Sequence, residues 1–291
     1  MVNIFKGEVI CYDIPNNTRT TRTIKDGNVS FVIPFESDHS KLLVSKVTDD
    51  KSVICELNFE TGDVKELALL DPNAKTRFND GKCDSAGRLW TGTMGISDIP
   101  MVWPEDKGSV YKYDFHNLTK HDDGMTLSNG LGWSLDGQTM YFVDSAKHVV
   151  YGYDFEPIDG KISNRTVIFN YDTDLTDNQR VETGSCGEFP DGLTIDVNGN
   201  LWVACFNGGR ILHIDPRSKS LIDYIQLPAN YITSLCFGGD DMTTMYVTSA
   251  YLTMTDDQRS SQPEAGAVFE VKLSNPVRGV ESVKFKDMKL L

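Results

Sequence analysis

Positive charge is scarce in this chain. Lysine and arginine number 28 against 42 aspartates and glutamates, a formal net charge of −14 with a pI of about 4.7. That field repels phosphate backbones and anionic membrane surfaces and gathers cations, so neither nucleic acid nor a membrane is an expected partner. Long apolar runs are missing too: none approaches the roughly 18 residues a membrane span needs. The opening MVNIFKGEVICYD has no basic stretch followed by an apolar core, which leaves a cytoplasmic location as the expectation. No CxxC pair occurs. The six cysteines (Cys11, Cys55, Cys83, Cys186, Cys205, Cys236) mostly fall inside apolar strand-like runs, where reduced and buried thiols are expected. Without a leader the glycosylation triplets at Asn16, Asn117 and Asn164 carry no weight. Low-complexity tracts and polar linkers are absent, so residues 1–291 read as a single domain, expected to act as a monomer.

What the chain does contain is a repeat. A short strand with an aromatic or apolar centre recurs as KLLVSKV (41–47), RLWTGTM (88–94), TMYFVDS (139–145), NLWVACF (200–206) and TMYVTSA (244–250), with MVNIFK as a sixth copy. Each is followed by a companion: EVICYD, SVICEL, SVYKYD, VVYGYD, RILHID and AVFEVK. An outer strand can be read after each pair, for instance TRTTRTIK, VKELALL, RTVIFNY, LIDYIQL and VESVKFK. With Leu43, Trp90, Tyr141, Trp202 and Tyr246 taken as equivalent, the spacings are 47, 51, 61 and 44 residues, close to the roughly 40 to 50 of a four-stranded propeller blade. The expected fold is all-β, a six-bladed β-propeller. Inner strands precede the aromatic strands as NVSFVIP, DGKCDSA, NGLGWSL, DGLTIDV and TSLCFGG, five copies for six blades, so the first blade is expected to lack its inner strand.

Aligned on their glycines, the inner strands put Val29, Asp80, Asn129, Asp191 and Thr233 at one position, with Asn79 a residue earlier in its copy. Asp-Gly and Asn-Gly are ordinary turn dipeptides. Their recurrence at one repeat position is better explained by convergence on a channel, where oxygen donors without histidine or cysteine favour a hard cation.

The phrases TRFNDGKCDSAGRLWTGTM, LSNGLGWSLDGQTMYFVDS, EFPDGLTIDVNGNLWVACFNGGR, TSLCFGG and QPEAGAVFEV together resemble the regucalcin family, also called senescence marker protein, gluconolactonase or luciferin-regenerating-enzyme-like. The resemblance implies a propeller with one divalent cation on its axis that hydrolyses sugar lactones. Ca²⁺ is the expected ion, with Zn²⁺, Mn²⁺ or Mg²⁺ as alternatives. It also implies Asn129 and Asp191 as metal ligands, Asn79 beside the metal, Arg77 and Asn79 as substrate contacts, and Asp191 as general base. Two departures stand out. The family's N-terminal glutamate ligand has no counterpart here, and Ser97, next to Asp98, stands where vertebrate members carry a glutamate. Asp80 is a candidate for compensating charge.

The loops 95–108 and 251–265 are expected at the channel mouth, with Met101 and Trp103 either forming a lid or packing against a neighbouring blade. His121 and His148 read as surface residues without partners. A non-catalytic calcium-binding propeller is the alternative to the lactonase, since fold alone does not decide activity. An organophosphate or luciferin-type substrate is a third reading.

Overall fold

The strand pairs read from the repeat form nearly where expected in a computed structural model that describes residues 1–181 and 187–287. The chain divides into two compact units, residues 1–128 with the segment from Val283, and residues 129–282. The first unit holds three antiparallel sheets. One comprises β1 (Val2–Asn3), β2 (Glu8–Asp13) and β3 (Thr18–Thr23); the next β4 (Val32–Pro34), β5 (Lys41–Val47), β6 (Ser52–Asn58) and β7 (Val64–Leu69); the third β8 (Thr76–Cys83), β9 (Leu89–Gly95), β10 (Gly108–Tyr113) and β11 (Leu118–Met125). The second unit opens with β12 (Ser128–Trp133), β13 (Thr139–Asp144), β14 (Val149–Glu156) and β15 (Lys161–Asn170). It continues with β16 (Phe189–Ile195), β17 (Leu201–Phe206), β18 (Arg210–Asp215) and β19 (Ser220–Gln226). It ends with β20 (Tyr231–Gly238), β21 (Thr244–Ala250) and β22 (Val268–Lys272). These six sheets are the blades of a six-bladed β-propeller, the first with three strands as the repeat predicts.

Burial explains the residue types. The second strands are covered on both faces: β9 is buried at every position and β17 at all but its last. Outer strands such as β3 (TRTTRT) and β19 (SLIDYIQ) are mostly exposed and carry the charges and β-branched residues suited to a sheet edge. Apolar clusters fill the space between sheets. In the first unit Val9, Val29, Val44, Val53 and Leu57 pack together, and in the second Val143, Val150, Leu193, Leu201, Val203 and Leu212. Full burial stabilises by about 1.5–3 kcal/mol for each such side chain.

Two aspartates missed in the sequence reading anchor the turns that feed these buried strands. Asp84 Oδ1 accepts from the Ala86 and Arg88 amides, and its Oδ2 accepts from Arg88 Nε at 2.7 Å and Trp90 Nε1 at 2.9 Å. Asp196 repeats the arrangement, with Oδ1 taking the Asn198 and Asn200 amides and Oδ2 taking Trp202 Nε1 at 3.0 Å. A histidine then covers each indole: His121 lies 4.9 Å from Trp90, and His213 stacks on Trp202 at 3.9 Å.

The expectation that VESVKFK forms the outer strand of the last blade is wrong, since that sheet ends at β22 with three strands. Gly279 instead bridges Asp196 in the second unit, and Val280 donates its amide to Ile195 O. Farther along, Phe285 bridges Phe35 in the first unit and is fully buried against Phe35 and Tyr113, with ring centroids at 5.1 and 5.8 Å. Burying that ring outweighs completing a solvent-exposed edge.

The thiol expectation holds in part. Cys55, Cys83 and Cys205 are buried and free, whereas Cys11 and Cys236 are exposed, Cys236 because the alternation of β20 turns it outward and Cys11 because it lies in the exposed second half of β2. Cys186 lies outside the described residues.

Candidate functional site

The inner strands are interrupted where the oxygen-bearing side chains occur. Pairing of β8 with β9 shifts register between Phe78 and Gly81, β16 with β17 between Pro190 and Leu193, and β20 with β21 between Ile232 and Ser234. These bulges enclose Asn79 and Asp80, Asp191, and Thr233. A bulge re-aims a side chain and bends its strand. The Asx-Gly pairs are therefore devices inside strands, and the glycines serve close approach. A Cβ on Gly130 would sit 2.5 Å from the Leu193 amide nitrogen and 2.6 Å from Asp191 O, and one on Gly192 would sit 2.7 Å from the Ser234 Cα.

In the second unit this brings Asn129 and Asp191 onto neighbouring strands. Asn129, 9% exposed, donates from Nδ2 to Ser145 Oγ at 2.7 Å. Ser145, itself 1% exposed, donates to Pro190 O at 2.5 Å, the carbonyl that precedes Asp191. The relay holds the Asn129 amide by its nitrogen end, and of the two ends the carbonyl oxygen is the one whose chemistry suits a cation. Asp191 is half-buried. Thr233 hydrogen-bonds Thr248 through their hydroxyls at 2.8 Å.

In the first unit Arg77 and Asn79 form a unit on β8. Arg77 Nη1 donates to Phe78 O and to Asn79 Oδ1, each at 3.1 Å, and Asn79 Nδ2 donates to Ser128 O at 2.8 Å. Burial pulls the Arg77 guanidinium down to about 10, so it stays charged at neutral pH. Burial also raises the Asp80 carboxyl above its ordinary value, opposed by the Gly81 amide and the charge of Lys82. Val29 is wholly buried in the apolar cluster between sheets.

Ser97 closes a local turn, its hydroxyl accepting from the Ile99 amide at 3.1 Å, and does not replace a carboxylate. In the same loop Ile99 and Val102 are 62% and 49% exposed and Met101 is 36% exposed with φ +59°, so Met101 is not packed into a core. Tyr251 of the later loop receives Arg259 over its ring at 4.5 Å.

Both histidines expected to lack partners have them. His121, beside Trp90, approaches Thr119 Oγ1 with Nε2 at 3.0 Å, and burial lowers its pKa, assisted by Lys112 and Arg88. His148 meets Asp172 through Nδ1 at 3.0 Å and stands edge-on to Phe189 at 5.1 Å. Thr119 shares β11 with His121, whereas Trp90 lies on β9, and His148 and Asp172 meet from just before the start of β14 and just past the end of β15, contacts across the sheet that sequence spacing does not show.

Among the described residues no group of three or more His, Cys, Asp or Glu side chains gathers to hold a metal ion. A donor set of one carboxylate and neutral oxygens fits a hard cation that completes its shell with water, and the low charge count implies modest affinity. It does not fit a closed site of nitrogen and sulfur ligands.

The model of the SMP-30/Gluconolactonase/LRE-like region matches residues 1–251. Regucalcin of Oryctolagus cuniculus is 40% identical over 219 residues, covering 75% of this chain and 69% of that protein. Among solved structures, a luciferin-regenerating enzyme superposes with a TM-score of 0.84 at 32% identity, covering 98% of this chain and 90% of its own. A regucalcin of Agrobacterium tumefaciens, described as a calcium-binding protein, gives a TM-score of 0.82 at 24% identity, covering 98% and 88%, which speaks for the fold alone. No helix among the described residues is long and apolar enough to cross a membrane.

Proposed function

The chain belongs to the SMP-30/Gluconolactonase/LRE-like family, and on that premise we propose that it hydrolyses a small sugar lactone with a divalent cation held by Asn129 and Asp191. The observation that supports this most is the hydrogen-bond relay from Asn129 through Ser145 to Pro190 O, which ties one donor to the strand carrying the other. A bound divalent cation supplies charge against the developing oxyanion and acidifies water.

The rest is the work of side chains. The Asp191 carboxylate takes the proton of the attacking water as general base, which demands hydrogen-bond reach of that water. Asn129 orients the site through its fixed amide. Arg77 and Asn79 are the proposed contacts to ring hydroxyls. Asn79 is also a proposed metal-side donor, a role in which its carbonyl oxygen exchanges the Arg77 contact. The Arg77 cation suits the carboxylate that ring opening releases. Asp80 adds negative charge on β8. The proposed partner is the lactone alone, acted on by a cytoplasmic monomer. Ca²⁺ is the first ion to test, with Zn²⁺, Mn²⁺ and Mg²⁺ beside it.

The experiment is hydrolysis of an aldonolactone followed by acid release, with each ion added in turn to metal-free protein, against Asp191→Ala. Ion-dependent turnover lost in the variant supports the proposal. Equal rates in both proteins end it, and ion binding without turnover returns the chain to the non-catalytic propeller.

A further inference from the structure

The chain entering the strand that carries Asp191 is gripped by the turn between the next two strands of the same blade. Asn207, in that turn with φ +63°, donates from Nδ2 to Gly187 O at 2.8 Å. Arg210, the first residue of β18, donates to both carboxylate oxygens of Glu188, with Nε to Oε2 at 2.9 Å and Nη2 to Oε1. The pair is deeply buried, its side chains 2% and 7% exposed, and the guanidinium lies over the Tyr224 ring at 5.3 Å. Gly208 leaves room for it, since a Cβ there would lie 2.4 Å from Glu188 Oε2 and 2.8 Å from the Cys205 Cβ.

A buried ion pair is a poor way to stabilise a core, because desolvation offsets the attraction and an apolar pair of similar volume does as well or better. What a two-pronged arginine–carboxylate contact adds is direction. Here that direction acts on residue 188, three positions before Asp191 and immediately before a strand whose register is broken by a bulge. Ser145 holds Pro190 O from the other side. Asp191 thus follows a segment fixed at Gly187, Glu188 and Pro190.

We propose that Glu188 and Arg210, assisted by Asn207, are positioning residues for Asp191: they set where β16 begins, so that the bulge presents the carboxylate in one place. The inference rests on the reading of Asp191 as a cation-binding carboxylate. A merely stabilising role and a positioning role differ in what an apolar replacement does.

The test is the double variant Glu188→Met/Arg210→Met, which exchanges the ion pair for two flexible apolar side chains beside Tyr224. Three quantities are read: the thermal midpoint, amide hydrogen exchange of peptides covering 187–195 in metal-free protein, and Ca²⁺ affinity by calorimetry. Positioning predicts a midpoint close to wild type, exchange in that segment at least about tenfold faster, and Ca²⁺ affinity lowered by about 10–100-fold, the range for outer-shell partners of metal ligands. Asn207→Ala moves exchange and affinity the same way by less, and it decides the matter with the same readouts if the double variant does not fold. Wild-type exchange and affinity in a folded variant overturn the proposal. Faster exchange in the variant, with a wild-type protein that binds none of Ca²⁺, Mn²⁺ or Zn²⁺, leaves the anchoring of the segment standing and removes the cation reading instead.

Discussion

Replacing Ser145 with alanine removes one oxygen atom and interrupts the hydrogen-bond relay between the two candidate ligands' strands. The hydroxyl accepts from Asn129 Nδ2 at 2.7 Å and donates to Pro190 O at 2.5 Å, in a residue 1% exposed. Each lost bond has a net worth of about 0.5–1.5 kcal/mol, and a buried group left unsatisfied costs about 1–3 kcal/mol. Asn129 has further interactions, so its share falls at the low end, and the expected loss is about 2–3 kcal/mol. In thermal unfolding that is a fall of roughly 4–12 °C, using about 2–4 °C per kcal/mol for a chain somewhat smaller than this one. The effect on the site is separate. Without the Ser145 contact the Asn129 amide is held less tightly, and outer-shell losses of this kind lower metal affinity about 10–100-fold. Differential scanning calorimetry reads the first quantity and Ca²⁺ titration of the folded variant the second. A variant that melts within about 1 °C of wild type, set against the same scale of about 2–4 °C per kcal/mol, and binds Ca²⁺ equally well would refute the relay.

Two further outcomes follow from the geometry. Burial acts to raise the Asp196 carboxyl, but hydrogen bonds from His213, Trp202 and the Asn200 and Asn198 amides outweigh it and hold the pKa below 3.8. A depressed pKa means that this stabilisation is present above the unfolded value and is lost as pH falls through the folded one. Acid unfolding followed by tryptophan fluorescence should therefore gain steepness below the ordinary value of 3.8, and Asp196→Asn should remove that part of the acid limb. Phe285→Ala empties a fully buried position between Phe35 and Tyr113 and should cost about 3–5 kcal/mol, measured as a lower urea midpoint.

Most of the fold was legible because blades are local. The β5, β18 and β21 bounds match KLLVSKV, RILHID and TMYVTSA residue for residue, since each strand pairs with its sequence neighbour and the turns between them carry Gly, Asn and Asp. The last outer strand was misplaced because VESVKFK alternates like an edge strand, and only tertiary packing reveals that Phe285 is buried elsewhere. β11, the LTKHDDGM strand, is the outer strand hardest to locate, because its charges mask any alternation. The Asp84 and Asp196 anchors have a signal, an aspartate six residues before Trp90 and before Trp202, visible once the repeat is aligned. The Glu188–Arg210 pair had none: its partners stand 22 residues apart, and arginine after Asn-Gly-Gly reads as a turn. Asn129 and Asp191 are signalled by the glycines beside them, although the bulge at Asp191 and the close approach of strands at Gly130 and Gly192 belong to strand packing and are invisible in a list of residues.

The account turns on a divalent cation held jointly by Asn129 and Asp191. Its most direct measurement is calorimetric titration of the metal-free protein with Ca²⁺, repeated on Asn129→Ala and Asp191→Ala. The prediction is a single site in the unaltered chain, weakened about 100-fold or more by either change, in line with the loss of one of few charged or amide donors. Binding of undiminished affinity in both variants would place the ion elsewhere and contradict the account.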